Sequence, residues 1–328
     1  MNIGIIFGGK SFEHDISIIT AYQLKKKIEK IYTIKMIYCS IDGKLYDACN
    51  MEFNEYKVKS FKKLRRLNLN KMRLDIIVGA LHGENGEDGL GCAFARLNNI
   101  KYLGCDVFSS SLCLDKYRSY LYLANNGIDM VKTILYSYED YLNEKSIPFM
   151  PYIIKPIYGG SSIGIEICNN KDESIDKLSK AFSSTDLVVI QPFYKKIEEY
   201  NLALNETYYS NLERINKKDD FFSFDNKYSD SFKLMHQAIE KSEFYERFCC
   251  IARRVYNLIG ASGIIRIDFF MIDEKIYVNE VNTTPGALSM YLFDDFLSVF
   301  NDSVGKVLIR EDKEYFSNNF LAKNNINK

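Results

Sequence analysis

Apolar residues in this chain gather into short unbroken runs separated by longer amphipathic stretches. The runs at 3–7, 33–38 and 74–81 are rich in β-branched residues, the pattern of short strands. The first leads through Gly8-Gly9 into a helical stretch over 16–30, which Ser11 or Asp15 is placed to cap. Strand, glycine turn and helix open a doubly wound α/β unit, where ligands gather at the C-terminal strand ends. Further strands are expected at 151–156 and 187–194. An amphipathic helix is expected over 238–259, with Phe244, Phe248, Ile251, Val255 and Leu258 on one face and Gly260 closing it. The polar, basic stretch at 57–73 reads as a solvated insertion, and the polar tail from Lys323 as frayed.

The last two apolar runs flank Asp273-Glu274-Lys275 and predict a β-hairpin. A three-residue loop would set Asp268 opposite Glu280 and Arg266 opposite Asn282, with all four side chains on one face. Two carboxylates roughly 5 Å apart across a ladder repel each other and call for a cation. An all-oxygen donor set without His or Cys suits Mg²⁺ holding a polyphosphate, and Arg266 alone is a poor answer for so many oxygens. The turn Thr283-Thr284-Pro285-Gly286 could aim backbone N–H groups at an anion. The same residues would also serve as solvated charges on an open sheet face.

Other chemistry sits where strands end. Glu13 and His14 follow the first strand, either at a ligand crevice or in a plain helix N-terminus. His82 opens the glycine-rich loop 82–89 after the third. Gly159-Gly160-Ser161-Ser162 offers unobstructed donors suited to covering phosphates, or makes an ordinary hairpin. Neither a dinucleotide fingerprint nor a P-loop is present.

The length of 328 residues suits two or three subdomains. Lys+Arg and Asp+Glu are equal at 43 each, so no net field favours nucleic acid or an anionic membrane. No leading signal-peptide pattern and no membrane-length apolar run is found, and the eight cysteines show no C-x-x-C spacing. A cytoplasmic protein with reduced thiols is expected.

The stretches G-G-x-S-x-E-H-x-x-S, H-G-x-x-G-E-D-G and R-I-D…N-E-V-N-T-x-P-G, with a Gly-Ser loop after Lys155-Pro156, resemble the D-alanine–D-alanine ligases of the ATP-grasp superfamily. The resemblance is collinear from Ile3 to about Leu292. It implies α/β and α+β architecture in three parts: an N-terminal doubly wound domain (1–104), a central subdomain (105–194) and a C-terminal subdomain with the metal hairpin (195–328). It implies ATP, two Mg²⁺ ions (Mn²⁺ as the alternative), D-alanine as substrate, a homodimer and a role in peptidoglycan precursor synthesis. By resemblance, Glu13 holds the first D-alanine's amino group and His82 lies near its carboxylate. Lys116 and Lys155 offset phosphate charge, and Gly160, Ser161 and Ser162 cover it. Gln191 and Phe193 lie on the adenine side, and Glu199 takes the ribose hydroxyls. Asp268, Glu280 and Asn282 hold metal; Arg266 and the Gly286 N–H stabilise the tetrahedral oxyanion. Glu13, Ser161 and Tyr228 form one hydrogen-bonded network, and Lys227, Tyr291 and Leu292 serve the second amino acid.

Tyr228, where depsipeptide-forming relatives carry phenylalanine, points to an amine acceptor over D-lactate. Three positions depart from the family pattern. Gly159 replaces a glutamate, Gln191 replaces an acid, and Tyr291 replaces the serine that receives the second substrate's carboxylate. Two rivals follow: a ligase with another second substrate such as D-serine, and a nucleotide-binding paralogue without ligase activity.

Overall fold

The structure, a computed structural model, describes residues 1–53, 58–60, 64–83, 86–160, 164–183, 185–195, 197–215 and 236–309. Its first sheet runs Arg65–Arg66, Leu45–Asp47, Thr33–Cys39, Asn2–Gly8, Ile76–Gly79, Lys101–Leu103. The last four strands are mutually parallel, as expected for the doubly wound opening. The helix His14–Ile28 follows the first strand. Its N-cap is Glu13, without a side-chain cap bond, so neither Ser11 nor Asp15 caps it. Ser11 Oγ instead accepts from the Glu13 N–H at 3.1 Å and donates to the His82 carbonyl at 2.5 Å. Gly8 makes the turn possible. Its φ is +96°, and a Cβ there would lie 2.2 Å from the Cys39 carbonyl oxygen.

A second, antiparallel sheet runs Glu166–Cys168, Tyr152–Pro156, Leu187–Pro192, Ile134–Ser137. The third, also antiparallel, runs His236–Ile239, Leu212–Ile215, Glu198–Leu204, Ile265–Ile272, Lys275–Asn282. The helix expected over 238–259 begins only at Glu243 and ends at Leu258. Ser242 caps it through the Tyr245 N–H, and residues 236–239 before it pair as a strand. Gly260 follows with φ +64°, in the closing role its position predicted.

Two large cores result. One packs the first sheet against the helices His14–Ile28 and Phe296–Ile309, so the end of the described chain returns to its beginning. Tyr32 marks that contact, its ring 6.0 Å from that of Phe300 and its hydroxyl donating to Asn301 Oδ1. The other core packs the third sheet against Glu243–Leu258, with Phe248 edge-on to Phe269. Among the described residues, no helix is long and apolar enough to cross a membrane.

Candidate active site

The hairpin carries the expected cross-strand pairs, Asp268 opposite Glu280 and Arg266 opposite Asn282. It reaches that register by a different route. The loop has two residues, Asp273 and Glu274, both with positive φ, and Ile272 pairs with Lys275. A two-residue loop alone would leave the far end of the hairpin one step out of register. A bulge between Asp268 and Phe269 on one strand, opposite Val278–Glu280 on the other, restores it. Ile276 and Val278 are buried, Asn279 and Glu280 both lie partly open, and Val281 is buried again. Were Asn279 paired in regular alternation instead of bulged, Glu280 and Asn282 would turn into the core.

Arg266 grips Asp268 with both prongs of its guanidinium, Nε to Oδ1 at 2.6 Å and Nη2 to Oδ2 at 2.9 Å. Burial opposes the arginine charge, but the adjoining carboxylate outweighs it and holds the group above its ordinary range. Arg266 is thus a fuller partner for Asp268 than the sequence suggested. A carboxylate oxygen can accept from more than one partner, so the grip of Arg266 does not by itself exclude a metal. Asn282 Nδ2 is buried with no partner among the described residues, which fits a carboxamide placed for its oxygen. Among the described residues no group of three or more His, Cys, Asp or Glu could hold a metal. Two carboxylates and one carboxamide are the set available, and they fit a hard cation that keeps other oxygen ligands.

The first sheet brings its strand ends to the same place. Ser17, buried in the helix after the first strand, accepts from the Gly8 N–H at 2.7 Å and donates to the Ala80 carbonyl at 2.6 Å. That tie fixes the loops bearing Glu13 and His82 side by side. A methyl group built on Gly160 would stand 3.5 Å from a Glu13 oxygen, so Gly160 lies close to that carboxylate. Glu87, from the His82 loop, is pushed above the ordinary carboxylate range by burial. Its His82 contact opposes the rise, and the charges of Glu13 and Glu280 add to it, which places all four groups within one field.

His82 is 3% exposed, and both ring nitrogens are engaged. Nδ1 meets the Thr284 carbonyl at 2.9 Å and Nε2 the Thr20 hydroxyl at 2.8 Å. Its polar atoms face the turn before Gly286 and the first helix.

Lys155 is buried at a strand end, with Nζ 3.4 Å from Asn279 Oδ1 and 5.9 Å from the Phe270 ring centroid. Lys116 begins a helix and donates to the Gly159 carbonyl. Gly159 itself has φ +96°, a backbone conformation a glutamate would strain to adopt, which accounts physically for the glycine there. Gln191 is buried and donates from Nε2 to Thr133 Oγ1 at 2.9 Å, leaving its carbonyl oxygen as the acceptor for a ligand. Glu199 is half-buried on the strand beside Ile265–Ile272, paired with Phe270, and the Phe193 N–H donates to Pro151. The Leu292 carbonyl accepts from the Asn211 N–H. Gly286 has open space where a Cβ would be. Ser161, Ser162, Lys227 and Tyr228 lie outside the described residues.

The Tyr291 hydroxyl donates to Glu213 Oε2 at 3.2 Å. Burial first, then the Glu213 charge, raises the phenol above its usual range. The hydrogen bond that the sequence reserved for a substrate carboxylate is therefore committed within the protein. Glu213, Asn279 and Thr20 were missed by sequence reasoning. Thr20 had a signal: it and Ser17 are polar residues on the stripe Ser17, Ile18, Ala21, Leu24 that the helix buries.

Comparison with known proteins gives the family. Family models described as D-ala D-ala ligase N-terminus and C-terminus match residues 2–105 and 126–299. A D-alanine--D-alanine ligase of Campylobacter jejuni is 32% identical, covering 98% of this chain and 97% of that one. One from Thermosipho africanus is 35% identical, covering 89% and 88%. The crystal structure of the Helicobacter pylori D-alanine–D-alanine ligase superposes with a TM-score of 0.73 at 26% identity, covering 93% of this chain and 99% of that one. The chain belongs to the D-alanine–D-alanine ligase family, ATP-dependent carboxylate–amine ligases of the ATP-grasp fold.

Proposed function

We propose that this chain joins two D-alanine molecules at the cost of ATP, with Mg²⁺, to supply peptidoglycan precursor in the cytoplasm. The observation that carries the reading is the hairpin face on which the bulge assembles Asp268, Glu280, Asn282 and Arg266. A protein that only bound nucleotide would have no use for a guanidinium and three oxygen donors there.

In the first step a carboxylate oxygen of one D-alanine attacks the γ-phosphorus. The bond to the leaving ADP oxygen breaks, and an acyl phosphate forms. The amine of a second D-alanine then attacks the acyl carbon, and phosphate departs carrying the original carboxylate oxygen. Asp268, Glu280 and Asn282 would hold two Mg²⁺ ions, whose chemistry is neutralisation of the β- and γ-phosphate oxygens. Lys155 and Lys116 add positive charge on the same phosphates, and Gln191, Phe193 and Glu199 seat the nucleoside. Glu13 receives the first amino group, and Arg266 with the Gly286 N–H meets the oxyanion of the tetrahedral species. Tyr228, Ser161 and Glu13 order the loop over the site; Lys227, Tyr291 and Leu292 border the second amino acid. The division at 1–104, 105–194 and 195–328 gives the three parts between which substrates are enclosed. A homodimer is part of the reading, and Leu90, Leu97 and Phe108 are exposed apolar side chains available for a second copy to cover.

The test is ATP- and Mg²⁺-dependent phosphate release with D-alanine alone, the product identified by mass. D-alanyl-D-alanine is the expected product. Phosphate release only with another amino acid, such as D-serine, would change the acceptor, and nucleotide binding without turnover for any amino acid would remove the ligase activity.

A further inference from the structure

The segment after Pro285 holds a rare backbone. Ala287, Leu288 and Ser289 follow one another in the left-handed region, with φ of 49°, 47° and 51°. None is glycine, and each such residue costs roughly 1–2 kcal/mol. Ser289 is fully buried, and its hydroxyl has no partner among the described residues. A turn of this kind persists only where its surroundings over-determine it.

Two side chains from the N-terminal part of the chain do that, Thr20 on the helix His14–Ile28 and His82 in the loop after the strand Ile76–Gly79. The Ala287 N–H donates to Thr20 Oγ1 at 3.0 Å. His82 Nδ1 meets the Thr284 carbonyl, which can only accept, so Nδ1 carries the hydrogen. Nε2 then accepts from the Thr20 hydroxyl at 2.8 Å. Thr20 uses its oxygen for Ala287 and its hydrogen for His82. The result is a closed ring: His82, Thr284, Pro285, Gly286, Ala287, Thr20 and back to His82. Thr20 is 1% exposed, so this ring is shielded from water.

We propose that Thr20 and His82 are positioning residues for the ligase reaction, a clamp that grips Pro285-Gly286 from both sides and fixes the Gly286 N–H where the oxyanion develops. His82 then acts through the turn and not by touching the amino acid. Thr20 enters the same role because its hydroxyl closes the ring. Such a donor stabilises charge that exists only in the tetrahedral species, so its displacement lowers turnover more than substrate affinity. The inference rests on the ligase reading proposed above.

The test compares Thr20→Val, which keeps the shape and loses the hydroxyl, with Thr20→Ser, which keeps the hydroxyl, in the full chain. Turnover is normalised to the nucleotide-binding sites titrated with ADP, so that misfolded protein does not count. Thr20→Val is expected to lower kcat at least tenfold, with KM for ATP within twofold. Thr20→Ser is expected within about threefold of the unaltered enzyme. Combining Thr20→Val with His82→Phe should cost little more than either alone, because the pair acts as a unit. Hydrogen exchange over residues 284–290 should accelerate in Thr20→Val and not in Thr20→Ser. Unchanged kcat per binding site, a rise in the D-alanine KM alone, or unchanged exchange at 284–290 would each overturn the clamp. If the unaltered chain cleaves no ATP with D-alanine, the ligase reading fails by itself, and the exchange measurement still decides whether the clamp exists.

Discussion

Tyr291 and Glu213 are joined by a hydrogen bond in which the phenol hydroxyl donates to a buried carboxylate. Glu213 is 2% exposed, and its Oε2 also accepts from Asn201 Nδ2 at 3.1 Å. The tyrosine therefore contributes ring surface to the site and anchors its hydroxyl in protein. Tyr291→Phe leaves a buried acceptor short of one donor, at a cost of about 1–3 kcal/mol. The expected outcome is a lower Tm with KM for the acceptor amino acid within twofold. An acceptor KM that rises tenfold with an unchanged Tm would show that the hydroxyl serves the substrate.

The bulge opposite Asp268 sets which way two proposed metal ligands point. Deleting Asn279 would bring the two-residue loop and the ladder into one continuous register that still sets Glu280 opposite Asp268 and Asn282 opposite Arg266, all on the open face. Mg²⁺-dependent ATP cleavage should therefore survive the deletion, within about tenfold of the unaltered enzyme. Asn279→Ala keeps the chain length and hence the bulge, and loses only the contact to Lys155. Its activity should stay within about tenfold of the unaltered enzyme. Loss of Mg²⁺-dependent cleavage in the deletion but not in Asn279→Ala would show that the bulge itself, and not the pairing it restores, positions the ligands.

Glu280→Gln removes one of the two carboxylates while keeping size and an oxygen. The Mg²⁺ concentration for half-maximal ATP cleavage is expected to rise at least tenfold, since charge is a main term for a hard cation. Asp268→Asn should do the same and, in addition, release Arg266 from its double hydrogen bond. A titration in which Glu280→Gln keeps the same Mg²⁺ midpoint would move the metal elsewhere.

Burial holds the Glu87 carboxyl above its ordinary value, so the folded protein binds that proton more tightly than the unfolded chain does. The sign follows. Below about pH 4.5 both states are protonated and the group is neutral in its effect. As pH rises from there through the raised folded value, ionisation favours unfolding, and above it the penalty is complete. Glu87→Gln removes the ionisation, so its stability relative to the unaltered protein should increase across that window. Denaturant midpoints at pH 4 and pH 8 measure this. A variant that loses ground as pH rises would reverse the sign and make the His82 contact the larger effect.

Phe269 is fully buried between the third sheet and the helix Glu243–Leu258, edge-on to Phe248 at 5.2 Å. Phe269→Ala should cost about 3–5 kcal/mol, read as a shift in the denaturant midpoint. Because Asp268 is its neighbour on the metal-facing side, Mg²⁺ affinity should weaken as well. A stability loss below about 1 kcal/mol would mean that this core is not what holds the hairpin.

Much of the site was legible in the sequence because its chemistry is carried by residue types at short spacings. Alternation alone put Arg266 and Asp268 on one face, and glycine turns after apolar runs placed Glu13 and His82 at strand ends. The register of Asp268 with Glu280 was reached from the wrong loop length. A two-residue loop plus one bulged residue pairs the far end as a three-residue loop would, and no residue type marks Asn279 as the extra one. Other relationships depend on tertiary approach. Thr20 and Ala287 are 267 residues apart and Tyr291 and Glu213 are 78, distances over which periodicity carries no information. The helix start at Glu243 was missed because strand pairing at 236–239 overrode a continuous helical pattern.

The central claim is that a carboxylate of one D-alanine is activated by phosphoryl transfer before the second amine attacks. D-alanine labelled with ¹⁸O in its carboxylate, incubated with ATP, Mg²⁺ and this protein, tests it directly. One labelled oxygen per turnover should appear in the released phosphate, and the dipeptide should keep one in its amide carbonyl. Phosphate released without label would mean that ATP is cleaved by water and that the carboxylate is never phosphorylated.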